Sequence, residues 1–160
     1  MTVFAITIAG CGFHLRGSGG AMLPPSLAAV RVVMAGPGVN EPLAVAVRQA
    51  ITQAGARVVE SPGAPTLSLV RESVDSQVAS VRTATGKASE YTLRYAATFR
   101  LDGPQPVAEQ TVRLQRDYSF DPDRVLAKEQ EERELLNNMR RDAAQQIVRR
   151  LARSVGPAAR

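Results

Sequence analysis

The stretch from Glu90 to Leu101, EYTLRYAATFRL, constrains the fold more than any other. Tyr91, Leu93, Tyr95, Ala97, Phe99 and Leu101 occupy every second position, with Glu90, Thr92, Arg94, Thr98 and Arg100 between them. A period of two places the sets on opposite faces of an extended strand. Val112, Leu114, Tyr118 and Phe120 repeat the pattern on the following strand. On the preceding one, Leu67 to about Val81, the apolar phase changes between Leu69 and Val70 and again before Ala79, which predicts bulges or bending. Turn signals at Ala84-Thr85-Gly86-Lys87 and Asp102-Gly103-Pro104 join the three into an antiparallel meander. One face is apolar and the other is wet.

The flanking segments supply the cover. Val30, Val32 and Met34 alternate along a short strand that Gly36-Pro37-Gly38 ends. Asn40 is an N-cap residue with Glu41 and Pro42 in the first turn, and Leu43, Val47, Ala50, Ile51 and Ala54 follow at helical spacing up to Gly55. The spacing predicts a helix over 41–54, then a strand from Arg57 to Glu60, forming a strand–helix–strand unit with a right-handed crossover. Near the other end Asp121 and Pro122 open a long helix whose buried stripe is Leu136, Met139, Ala143, Ile147 and Leu151. Its acids (Glu129, Glu131, Glu132, Glu134) come early and its arginines (Arg140, Arg141, Arg149, Arg150, Arg153) late, an order that complements the helix dipole, and Gly156-Pro157 stops it. The expected fold is an α/β two-layer sandwich: a mixed β-sheet, strand–helix–strand then antiparallel meander, with two helices packed on one face.

The first residues set the compartment. An apolar run (Phe4, Ala5, Ile6, Ile8) leads into Ile8-Ala9-Gly10-Cys11, a branched residue, two small ones and a cysteine. This is the pattern of a bacterial lipoprotein signal, in which small side chains flank the scissile bond and the cysteine sulfur carries a diacylglycerol; the other reading is a buried cysteine ending an N-terminal strand. The run is short and no Lys or Arg precedes it, so the signal is expected to begin upstream of Met1. Residues 1–10 are accordingly a signal remnant, 11–26 a lipidated tether containing Gly17-Ser18-Gly19-Gly20 and Pro24-Pro25, and 27–156 the folded domain. Covalent diacylglycerol and N-acyl lipid on Cys11 are expected, and no other cofactor. Several acyl chains hold a protein durably on a membrane where one does not. The only cysteine in the chain is Cys11, so no internal disulfide can form.

The formal charge of +5 and a pI near 10.1 favour an anionic partner. Behind an export signal that partner is a phospholipid or phosphorylated glycolipid, and nucleic acid is not expected. Enzyme signatures are missing. The single histidine, His14, lies in the tether, no Cys/His cluster could bind zinc, and no phosphate-cradling loop or nucleophile elbow is visible. What remains is a basic set: Arg82 and Lys87 at one hairpin, Arg94 and Arg100 on the central strand, Arg113 and Arg116 on the next, and Lys128 early in the last helix. Guanidinium forks match phosphate geometry and lysine adds a point charge, so these residues form either a phosphate-recognising surface or ordinary solvating charges on an open face.

Several stretches together resemble the LptE family of lipopolysaccharide-assembly lipoproteins. They are the lipobox running into Cys11-Gly12-Phe13-His14-Leu15-Arg16, Glu90-Tyr91 opening a strand after a glycine-containing hairpin, and DPDRVLAK (Asp121 to Lys128) leading into an Arg-rich amphipathic helix. The resemblance spans roughly Cys11 to Arg153. It implies a non-enzymatic outer-membrane lipoprotein facing the periplasm, anchored by its lipid to the inner leaflet of that membrane. It further implies a plug within the LptD β-barrel that helps the barrel assemble and helps deliver lipopolysaccharide to the outer leaflet. Gly12 after the cysteine agrees with release to the outer membrane. Basic residues near the strand hairpin and at the start of the last helix would engage lipopolysaccharide; here the matches are Arg82 or Lys87, and Lys128, with Arg94 and Arg100 as further candidates. The alternative is an adaptor lipoprotein that binds a periplasmic protein without touching glycolipid.

Overall fold

A computed structural model describes residues 22–82, 87–119 and 125–156, those at 81, 82, 87–89 and 125–129 by their backbone alone. The elements are β1 (Ala29–Met34), α1 (Glu41–Gln53), β2 (Arg57–Val58), β3 (Thr66–Arg82), β4 (Lys87–Asp102), β5 (Val107–Ser119) and α2 (Val125–Val155). A single 3-10 turn, Pro25–Leu27, precedes them and buries Leu27. The strands form one sheet in the order β2-β1-β3-β4-β5. β1 is parallel to β2 and to β3, whereas β3, β4 and β5 are antiparallel, which is the mixed sheet that the sequence predicts.

The core lies between one face of this sheet and the two helices. Every second residue of β4 from Leu93 to Leu101 is buried and meets α1 through Leu43, Val47 and Ile51, or α2 through Met139, Ala143, Ile147 and Leu151, in one contiguous apolar cluster. Complete burial of each such aliphatic or aromatic side chain contributes about 1.5–3 kcal/mol. α1 ends where Gly55 (φ 84°) takes the left-handed conformation, the Gly55 amide bonding Thr52 O at 3.1 Å and the Ala56 amide Ile51 O at 3.2 Å. These two bonds satisfy carbonyls that the last turn leaves without helical partners. At its other end Asn40 occupies the N-cap position but makes no side-chain cap; its own amide donates to Glu72 Oε2 at 2.9 Å instead.

Among the described residues no second layer covers the open face, yet Ser68, Thr92 and Thr98 are buried there. Each is shielded by a cross-strand partner: Ser68 Oγ bonds Asp102 at 3.3 Å, Thr92 Oγ1 bonds Asp117 at 2.6 Å, and the Thr98 and Thr111 hydroxyls lie 2.9 Å apart. Pairs of this kind stabilise a sheet face without a core behind it.

Three expectations change in detail. Met34 is 47% exposed, because β2 pairs only with Ala29 and Val30 and leaves the second half of β1 at the sheet edge. The strand expected over Arg57 to Glu60 keeps ladder pairing only at Arg57 and Val58, although Val59 still donates to Val30 O at 3.0 Å. In α2 the first turn carries no acid and the last only Arg153, so dipole matching accounts for little of its charge order. The expected caps Asp121 and Pro122, the turn at 84–86, Phe120, Pro157, Cys11 and His14 lie outside the described residues.

Candidate anionic-ligand surface

The register of β3 against β4 decides where every charge on this sheet points. Leu67 faces Leu101 and Leu69 faces Phe99, but Arg71 faces Thr98, so Val70 is the extra residue of a bulge; a second irregularity falls between Val78 and Ser80 and a third between Ser80 and Val81. The first two occur where the apolar phase breaks in the sequence. One inserted residue moves all later side chains to the other face. Past Val70, Glu72 therefore turns toward the helices and Arg71 toward the open face.

Glu72 enters the core as a carboxylate and is fully engaged. Oε1 accepts from Arg140 Nε on α2 at 2.7 Å, and Oε2 accepts from the Asn40 amide at the start of α1. The Glu72 side chain is 1% exposed and that of Arg140 11%. Tyr95 lies beside them, buried, its hydroxyl without a hydrogen-bond partner among the described residues. Burial first, and the neighbouring Glu72 carboxylate second, push that hydroxyl far above its ordinary pKa of 10.0. Such a buried charged pair holds elements in one arrangement and offers no access to a substrate. Its signal in the sequence is the phase break itself, which converts an apparently solvent-facing Glu72 into a core residue.

The predicted basic residues separate into three groups. Arg82 and Lys87 are Cα partners at the far end of the β3–β4 hairpin, and their side chains lie outside the described set. α2 runs back along β5, with the Tyr118 hydroxyl bonding Glu132 at 3.2 Å and Arg116 bonding Asp142 at 2.9 Å. At about 1.5 Å per residue Lys128 lies roughly 6 Å beyond Glu132 toward that same hairpin end. The topology thus brings the backbones of Arg82, Lys87 and Lys128 to one end of the molecule. Arg94 and Arg100 occupy the open face of β4, about 20 Å apart at roughly 3.3 Å per residue, too far to share one phosphate. Arg100 Nε also bonds Asp102 at 3.2 Å, which partly neutralises it.

The third group is the β5 pair, which the sheet splits. Arg116, opposite Leu93, turns toward α2, whereas Arg113, opposite Ala96, joins Arg94 on the open face. A depression of about 490 Å³ lies there between Ser73, Asp75, Arg94, Ala96, Arg113 and Gln115. Among the described residues no group of His, Cys, Asp and Glu could hold a metal ion, and no helix is long and apolar enough to cross a membrane.

Comparison with known proteins places this arrangement in a family. The chain is 32% identical over 149 residues to the LPS-assembly lipoprotein LptE of Photorhabdus laumondii, covering 91% of this chain and 79% of that protein. It is 31% identical to the LPS-assembly lipoprotein LptE of Yersinia enterocolitica, over 91% of this chain and 70% of that one. The solution structure of lipoprotein B from Nitrosomonas europaea superposes with a TM-score of 0.67 at 27% identity, covering 89% of this chain and 91% of that one. Residues 27–151, from the turn before β1 to the last buried leucine of α2, match the family described as LptE, lipopolysaccharide-assembly, and the chain belongs to that family.

Proposed function

We propose that this protein is a lipid-anchored subunit of the machinery that places lipopolysaccharide in the outer leaflet of the outer membrane. In this reading Cys11 carries the diacylglycerol and N-acyl chains that hold it to the periplasmic face, and the folded domain plugs the LptD β-barrel and helps it assemble. The subunit acts by binding, without an enzymatic step. The observation that carries the reading is the family membership over residues 27–151, joined by the sequence pattern at Ile8–Cys11.

The contacts proposed for the phosphorylated headgroup are Arg82 or Lys87 with Lys128 at the hairpin end, and Arg94 and Arg100 on the open face. Support comes from topology, since the hairpin and the start of α2 converge, and from charge, since cations at that end complement an anionic glycolipid. Affinity purification of the full chain from detergent-solubilised envelope, with mass identification of bound proteins, tests the partner. A large outer-membrane β-barrel should co-purify, and recovery of a periplasmic protein alone would favour the adaptor reading instead.

A further inference from the structure

Three arginines on three adjacent strands lie on the open face, Arg94 and Arg113 in the lining of the depression and Arg71 beside it. Arg71 on β3 stands opposite Thr98, Arg113 on β5 stands opposite Ala96, and Arg94 lies two residues before Ala96 on β4. All three are exposed, and none makes an ion pair among the described residues. They surround a floor of small side chains, Ser73 and Ala96, which face each other across β3 and β4. Arg94 and Arg113 are diagonal cross-strand neighbours, about 7–8 Å apart, and line one depression, while Arg71 stands outside its lining, two residues before Ser73 on β3 and roughly 7 Å from it, within reach of a ligand that extends past that floor. Two carboxylates belong to the surroundings, Asp75 opposite Arg94 and Asp117 opposite Thr92, where it accepts from the Thr92 hydroxyl; neither makes an ion pair among the described residues.

Unpaired like charges gathered over a concave floor repel one another and gain when an anion enters between them. An arginine fork engages two oxygens of one phosphoryl group, and hydroxyl and amide groups from Ser73 and Gln115 border the same depression. We infer that Arg71, Arg94 and Arg113 form a binding site for the phosphoryl groups of a sugar headgroup, separate from the hairpin end. The inference rests on the glycolipid reading above and gives the headgroup a second foothold on the open face. The bulge at Val70 places Arg71 there, because in an unbulged strand Arg71 would share the face of Leu69 and point into the core.

The test uses the full lipidated chain in detergent with purified lipopolysaccharide, the same lipopolysaccharide after enzymatic removal of its phosphates, and inorganic phosphate. Replacement of Arg71, Arg94 and Arg113 by Gln should weaken binding of intact lipopolysaccharide roughly tenfold, equivalent to about 1.4 kcal/mol. A charge-matched variant, Arg57→Gln with Arg149→Gln and Arg153→Gln, should retain far more affinity, and dephosphorylated lipopolysaccharide should no longer distinguish the first variant from wild type. Equal loss in both triple variants would overturn the site, leaving only bulk charge. Full displacement of lipopolysaccharide by inorganic phosphate would overturn the sugar-headgroup assignment in favour of a free anion. Arg113→Lys, which keeps the charge and removes the fork, is the variant for any folding defect: undiminished affinity in it would sink the bidentate contact. Barrel co-purification with the Gln triple variant separates the two readings, since a retained barrel with weakened glycolipid binding concerns this site alone.

Discussion

Arg140 Nε donates to Glu72 Oε1 at 2.7 Å, joining α2 to β3 inside the core, and the second oxygen of the same carboxylate receives the Asn40 amide at the start of α1. One buried side chain therefore ties both helices to the sheet. Removing a single partner of such a pair leaves an uncompensated charge in the interior, whereas replacing both can be nearly neutral. Arg140→Ala should lose about 3–5 kcal/mol of stability in urea denaturation. The double change Glu72→Met with Arg140→Met should recover much of that loss, the remainder being the Asn40 amide left without its acceptor. A loss near zero in Arg140→Ala would refute the buried charge.

Arg116 and Asp142 form the contrasting pair, 2.9 Å apart but with both side chains close to half exposed. Water screens this contact, so a double-mutant cycle should give only about 0.2–1 kcal/mol. A coupling as large as that of Glu72 with Arg140 would mean that solvent does not reach it.

Gly36 packs against the bulge. A Cβ added there would lie 1.7 Å from the Val70 carbonyl oxygen, whereas one added at Gly63 meets nothing within 4 Å. Gly36→Ala should therefore cost about 1–3 kcal/mol or more through displaced backbone, and Gly63→Ala close to nothing. Thermal unfolding of the two variants side by side measures the difference, and equal midpoints would count against the close approach.

Tyr95 sets the alkaline limit. Its pKa is raised in the fold from 10.0, by burial and then by Glu72, and that of Tyr118 is raised as well, by burial above all. A folded-state value above the unfolded one favours the protonated native state, so this contribution is fully present below pH 10.0 and is lost as pH rises beyond it. Base should thus unfold the protein before Tyr95 ionises in place. Near-ultraviolet tyrosinate absorbance followed together with circular dichroism checks this: ionisation of all three tyrosines with native dichroism intact would be the contrary result. Tyr95→Phe removes a buried hydroxyl that has no partner and should be at least as stable as wild type at neutral pH.

Arg82→Ala, Lys87→Ala and Lys128→Ala together should weaken lipopolysaccharide binding roughly tenfold, about 1.4 kcal/mol, while leaving the unfolding midpoint unchanged. Wild-type affinity in the triple variant would remove the hairpin end from the glycolipid site.

Periodicity alone determined much of this protein. The alternation from Tyr91 to Leu101, the helical spacing from Leu43 to Ala54 and from Leu136 to Leu151, and the glycine after the first helix specify the strands, helices and buried stripes, because each follows from repeats of two or 3.6 residues along a continuous segment. Even the register shifts at Val70 and Ala79 were legible as breaks in phase, although the further one between Ser80 and Val81 was not. Charge destinations were not. Arg113 and Arg116 read alike in the chain, yet one joins the open face and the other meets α2. Glu72 and Arg140, sixty-eight positions apart, become partners only when a helix closes over the sheet. Local repeats fix the face a residue takes relative to its own neighbours. Which charge meets which depends on register between distant segments, and that is settled only when the layers pack.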